Sequence, residues 1–226
     1  MDLFRLTEEY LAEHYPNRAE KVADGVVHGI GLGAAVVGGL VLLVVSIWRH
    51  DIPLAFATSL YAACLTAMLV CSTVYNLTKP SRARPFLRRL DEAGIFLMIA
   101  GSYTPFTTLR FHGGWAIGMT ALVWGMALTG VVGKLLIPRI PDKIWTLLYV
   151  AFGWVALIAL KPMINGVDGL ALALLVIGGV IYTGGALLFH LERLPFRRAI
   201  WHGFVVCAAA IHYAAIMTGV ALAAPL

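Results

Sequence analysis

Seven stretches of this chain contain no Asp, Glu, Lys or Arg: residues 25–48, 52–77, 93–109, 111–133, 144–160, 169–191 and 199–226. At about 1.5 Å of rise per residue, each can cross a hydrocarbon layer roughly 30 Å thick as a helix, the third and fifth only just. Apolar and polar residues do not alternate with period two, which excludes a membrane β-barrel. Only 13% of the residues are charged and 60% are apolar, a balance that also excludes a disordered chain, a nucleic-acid module and an ordinary soluble domain. The expected fold is all-α and integral to the membrane: a bundle of seven transmembrane helices.

Direction follows from Lys and Arg. Arg5, Arg18 and Lys21 precede the first stretch; Lys79, Arg82, Arg84, Arg88 and Arg89 fill the second loop; Lys134, Arg139 and Lys143 fill the fourth; Arg193, Arg197 and Arg198 fill the sixth. These are fourteen of the seventeen, and only Arg49, Arg110 and Lys161 fall on the opposite side. The positive-inside rule therefore predicts a cytoplasmic N-terminus and an outward C-terminus, Leu226. Residues 1–23 carry both signs of charge and no apolar core, unlike a cleavable signal peptide. They are expected to lie at the cytoplasmic surface on a partial apolar face of Phe4, Tyr10, Leu11 and Tyr15, ahead of one domain spanning 24–226. Cys64, Cys71 and Cys207 sit inside apolar stretches and read as small hydrophobes. Glycines such as Gly29, Gly31, Gly33, Gly178 and Gly185 predict close packing within the bundle, or a face for a homo-oligomer. Pro105 is expected to interrupt or kink the third span.

Polar groups inside lipid are costly, so they mark the place to look for chemistry. Here they pair four residues apart, on one helix face: Asp24 with His28, Ser72 with Asn76, and Arg198 with His202. With the predicted topology all three pairs lie at the cytoplasmic ends of spans one, two and seven. Asp91, beside Glu92, opens span three at the same depth, and His190 and Glu192 close span six there. A shared polar site in the cytoplasmic third follows, with Ser72, Asn76, Asp91, Arg198 and His202 as primary candidates and Asp24, His28 and His212 as secondary ones. The competing readings are local: Asp91 and Glu92 complementing a helix dipole, Arg198 reaching for headgroups, His190 and Glu192 as ordinary interfacial residues. His212 lies deep in span seven and requires a partner inside the bundle. No Gly-x-Ser-x-Gly elbow, His-Glu-x-x-His helix or phosphate-binding glycine loop is present.

Several segments resemble the hemolysin III proteins, the bacterial branch of the progestin and adipoQ receptor family. They are Ala23-Asp24-Gly25 with Val27-His28-Gly29-Ile30-Gly31, Ser72-Thr73-Val74-Tyr75, Arg89-Leu90-Asp91, Ile99-Ala100-Gly101-Ser102-Tyr103-Thr104-Pro105-Phe106, and Ile200-Trp201-His202-Gly203-Phe204 followed by His212-Tyr213. The resemblance implies seven spans, a cytoplasmic N-terminus, and a zinc ion held by one histidine on span two and two on span seven. A serine and an aspartate accompany them, at positions matching Ser72 and Asp91 here. It also implies either ceramide hydrolysis, as in the adiponectin receptors, or the membrane-homeostasis role and hemolysin label of bacterial relatives. Of the three zinc-ligand positions only His202 is a histidine; Asn76 and Arg198 occupy the others.

An amide is a poor zinc ligand and a guanidinium is none, so no cofactor is expected, and zinc only with rearranged ligands. In the ion's place we expect Arg198 to bond Asp91, with Asn76 and Ser72 completing the donors. The expected function is non-enzymatic, in membrane homeostasis or in the passage of a solute or signal. The alternative is a metal-dependent hydrolase of a ceramide-like lipid amide. Membrane lipids are the expected partners, nucleic acid is not one, and the expected location is a bacterial inner (plasma) membrane.

Overall fold

The structure, a computed structural model, describes residues 15–137 and 140–224. Phe4, Arg5, Tyr10, Leu11, Arg139 and Leu226 lie outside the described residues. Every regular element among the described residues is helical. The long helices are α1 (Arg18–Trp48), α2 (Ile52–Leu77), α3 (Arg84–Leu109) and α4 (Gly113–Leu136). Next come α5 (Asp142–Gly153), a 3-10 segment (Val155–Ala159) and the short α6 (Leu160–Gly166). Then follow α7 (Gly169–Phe189) and α8 (Arg197–Ile216), which runs into a π turn (Met217–Ala221).

Helix starts coincide with the polar residues that flank the apolar stretches. The side chains of Asn17, Asp51 and Asp168 accept from the backbone N–H groups of Glu20, Leu54 and Ala171 at 2.9, 2.9 and 3.0 Å. Each satisfies a donor that the first helical turn cannot pair for itself. Proline stands in the first turn of α2 and of α3, where its missing N–H costs nothing.

Six helical segments are long and apolar enough to cross a membrane: α1, α2, α4, α7, and the compound segments Asp142–Gly166 and Arg197–Ala221. The exception is α3. It begins two turns before the apolar stretch, in the basic loop, and Arg88 clasps Glu92 four residues on at 2.7 Å. Glu92 also pairs with Lys134 of α4. Helix α3 packs against α2, α4, α5 and α8 and buries twelve residues. A helix so enclosed meets little lipid and has no need to be apolar all round. Its extension also corrects one expectation. Asp91 and Glu92 stand seven and eight residues beyond Arg84, outside the single turn in which a helix dipole is felt. Pro105 lies within α3, which continues through it to Leu109.

The fifth span is broken, where a single helix was expected. Pro162 has no N–H to offer Ile158, so an unbroken α ladder is not available there. The preceding residues tighten into the 3-10 segment, and the hydroxyl of Tyr103 enters the gap. It donates to Gly153 O at 2.7 Å and accepts from Ala156 N at 2.8 Å. Beside the break is a cavity of about 170 Å³, lined by Tyr103, Phe106, Met119, Trp154, Leu172 and His212 among others.

One apolar core joins α1, α2 and α8 around Leu42, Tyr61, Leu65, Val205 and Ile216. A second joins α3, α4 and α5 around Phe96, Val123, Trp145 and Phe152. The outer surface is itself apolar: Ile30 is 62% exposed, Val44 64%, Ile117 76% and Leu187 67%. Such a surface suits lipid and would be untenable in water. Helices approach closely through glycine: a Cβ on Gly101 would stand 2.7 Å from Cys64 Cβ, and one on Gly178 would collide with the His212 ring.

Candidate functional site

Helix α1 carries Asp24 and His28 one turn apart, and both are buried, at 0% and 1% exposure. They face α8, because the carboxylate of Asp24 accepts from His202 Nδ1 at 2.6 Å through Oδ1. Its other oxygen, Oδ2, accepts from the Tyr15 hydroxyl at 2.5 Å. His28 Nδ1 donates to the Asp24 backbone carbonyl at 2.9 Å and lies 3.6 Å from Oδ2. Carbonyl and carboxylate oxygens only accept, so both imidazoles carry their hydrogen on Nδ1. The two rings stand edge to face, with centroids 4.3 Å apart.

Ser72 of α2 joins the rings from the other side. Its Oγ lies 3.3 Å from His28 Nε2 and 3.4 Å from His202 Nε2. It is also hydrogen-bonded to Asp91 of α3. Asn76, a turn further along α2, donates to Ser72 O at 3.0 Å and reaches Ser72 Oγ at 3.4 Å. Four helices thus meet at the hydroxyl of one serine. A cavity of about 30 Å³ lies here, with His28, Ser72, Asp91 and His202 in its wall and Met68, Ile95 and Val205 beside them. That is room for about two water molecules.

Seven of the eight candidate residues therefore come together: Asp24, His28, Ser72, Asn76, Asp91, Arg198 and His202. The ranking among them changes. Asp24 and His28, secondary in sequence, are the most buried members and hold the centre. Arg198 also departs from expectation. Its Nη1 donates to Asn76 Oδ1 at 3.0 Å, and among the described residues no ion pair within 4.0 Å joins it to Asp91. Asp91 takes its hydrogen bond from Ser72, with Arg198 as a more distant positive charge. His212 is remote from the cluster: its Nε2 donates to Leu175 O at 3.2 Å, beside Tyr182 and the larger cavity. His190 contacts Thr146 at 3.1 Å, also apart from the cluster.

Tyr15 was missed as a site residue. Sequence placed it on the apolar face of a surface helix, whereas it is 5% exposed and bonded to Asp24. Nothing local signals this contact, since it spans nine residues and the turn into α1.

The residues at the family's zinc-ligand positions do not fit zinc. Asn76 and Arg198 are bonded to each other, and Arg198 brings a permanent positive charge where a ligand would offer a lone pair. The imidazoles present are His28 and His202, whose ligand-type atoms lie with those of Asp24 within 4.8 Å of one another.

These features define a multi-pass α-helical membrane protein with a buried histidine–carboxylate–serine cluster at the end of the bundle that bears the basic loops. A family model described as "Haemolysin-III related" matches residues 17–213, and the chain belongs to that family. It is similar to Hemolysin-3 of Bacillus cereus, with 31% identity over 201 residues, covering 88% of this chain and 90% of the relative. Hemolysin-3 homolog of Bacillus subtilis (strain 168) is 31% identical over 193 residues, covering 83% and 88%. A human relative, monocyte to macrophage differentiation factor, is 31% identical over 207 residues, covering 89% and 84%.

Proposed function

We propose that this chain is a seven-span protein of a bacterial plasma membrane, its basic loops cytoplasmic and its C-terminus outside. We propose further that it acts without hydrolysis, holding a small solute or passing a signal at the polar cluster in the service of membrane homeostasis. The span count rests on α3, which at 26 residues extends about 39 Å and is enclosed by its neighbours. The orientation rests on the basic loops. Membrane lipids surround the bundle. The face of α1 bearing Gly29 and Gly33, which nothing approaches within 4 Å, is where a second copy would pack.

The observation that carries the non-hydrolytic reading is the Arg198–Asn76 hydrogen bond at 3.0 Å. It ties together two positions where a family-type metal centre needs imidazoles. The cavity beside the cluster, about 30 Å³, supports the same reading, because a lipid amide has no room to reach Ser72 or Asp91. The second reading, a metal-dependent amide hydrolase, is favoured by one feature alone, the pairing of His28 with His202 across Ser72. The test is an acyl-release assay on the purified chain in lipid nanodiscs containing ceramide, with and without added zinc. Release at background rates is expected. Zinc-dependent turnover lost in Asp91→Asn would reverse the assignment.

A further inference from the structure

We propose that the bundle binds a water molecule midway across the membrane, shared by the hydroxyls of Tyr61 on α2 and Tyr182 on α7. The site is separate from the histidine–carboxylate–serine cluster and uses none of its groups. Tyr61 stands about 16 Å from Ser72 along α2 by helix rise, and His212 about 15 Å from His202 along α8. Leu65, Leu69 and Val205 lie along the two helices in between.

Tyr61 is 1% exposed and belongs to the first apolar core. Its hydroxyl and that of Tyr182 are both closed off from the surface, and neither meets a hydrogen-bond partner among the described residues. The electrostatic influence of Tyr182 and Tyr213 reaches Tyr61, which places three phenolic groups in one neighbourhood. A buried hydroxyl left without a partner is costly, so two of them together call for a third party.

The hydrogens and lone pairs left over fit one kind of guest. Tyr61 and Tyr182 each hold an uncommitted O–H. Tyr213 donates its own hydrogen to Gly38 O at 3.2 Å and keeps lone pairs with which to accept. The ring of His212 meets Tyr182 edge to face, with centroids 5.5 Å apart. Its Nε2 donates to Leu175 O at 3.2 Å, so its Nδ1 is an acceptor. Two donors and two acceptors complement a molecule with two lone pairs and two hydrogens, and a buried water takes two to four such partners. An ion does not suit the place. Tyr61 feels the two other tyrosines, and no Asp, Glu, Lys or Arg among the described residues acts on Tyr182 or His212. A charge held there would go uncompensated in the middle of the membrane, and a neutral guest carries none. His212 also belongs to the wall of the cavity of about 170 Å³. The water is thus a polar station between the cluster at one end of the bundle and that cavity.

The experiment is millisecond X-ray hydroxyl-radical labelling of the full-length protein in lipid nanodiscs, read residue by residue by mass spectrometry. Radicals form from water in place, so a buried side chain touching a bound water is oxidised and a dry one is spared. After correction for intrinsic reactivity, Tyr61 and Tyr182 should label at least about 5-fold faster than Phe96, which is buried in the second apolar core. Tyr61→Phe should slow labelling at Tyr182, and Tyr182→Phe at Tyr61, because each removes a partner of the shared molecule. In denaturant unfolding each single variant should lower the folding equilibrium constant about 5-fold, and the double variant by less than the product of the two. The wild-type labelling needs no variant to fold. Labelling of the two tyrosines no faster than Phe96 overturns the proposal, even with coupling in the cycle, because the hydroxyls then bond each other directly. Phenylalanine variants as stable as wild type or more so also overturn it, since the hydroxyls then had no partner to lose. Strictly additive losses overturn it as well, because the two hydroxyls then share no molecule.

Discussion

Arg198 gives its guanidinium to the amide oxygen of Asn76, 3.0 Å away on α2, and the carboxylate of Asp91 takes its hydrogen bond from Ser72 instead. Helices α2 and α8 are thereby joined at the basic end of the bundle by a charge-assisted bond. Its strength is measurable by a double-mutant cycle. Arg198→Ala and Asn76→Ala should each destabilise the protein, and the double variant should cost about 1–2 kcal/mol less than their sum. Denaturant or thermal unfolding in detergent reads this directly. The same cycle on Arg198 and Asp91 should show the smaller coupling, and the reverse order would mean that the guanidinium sits on the aspartate.

Tyr103→Phe removes the hydroxyl that bridges Gly153 O and Ala156 N. Both backbone groups then lose a partner, at an expected cost of about 1–3 kcal/mol. Hydrogen exchange should quicken at Ala156, and it should not quicken in the middle of α7. A Tyr103→Phe protein as stable as wild type would show that the 3-10 segment holds itself.

Two glycine substitutions should act oppositely. Gly178→Ala drives a methyl group into the His212 ring and should cost about 1–3 kcal/mol. Gly29→Ala meets nothing within 4 Å in the single chain and improves helix propensity, so in the monomer it should be neutral or stabilising by up to about 1 kcal/mol. Marked destabilisation by Gly29→Ala would reveal a contact on that face, such as a second copy of the chain.

Reporter fusions test the orientation. A reporter active only outside the cytoplasm should work when fused after residue 224 and fail when inserted between Thr78 and Ser81. The opposite result would place the basic loops and the polar cluster on the outer side.

The sequence made much of this legible because lipid is an exacting solvent. Uncharged stretches located the helices, and pairs such as Asp24 with His28 could share a face only one way. What it could not supply was helix rotation. Whether Arg198 meets Asn76 or Asp91 depends on how α8 turns against α2 and α3, which is decided by packing around residues such as Val205 and Leu69. Helix α3 ends where the uncharged stretch ends, at Leu109, but starts before it for a related reason: enclosure by neighbours lets α3 carry charges that a lipid-facing helix cannot. The break in span five begins with Pro162, but its extent was hidden, because the Tyr103 hydroxyl that fills the gap comes from a residue 50 positions before Gly153.

The carboxylate of Asp24 has one oxygen turned to His202 and the other to Tyr15. Tyr15 lies only three residues ahead of Arg18, the first residue of α1, so little slack separates it from the helix. Rotating the carboxylate to serve one side disturbs the other. The short leader into α1 is therefore a tether whose anchor lies inside the bundle, and whatever pulls on that leader pulls on the imidazole of His202.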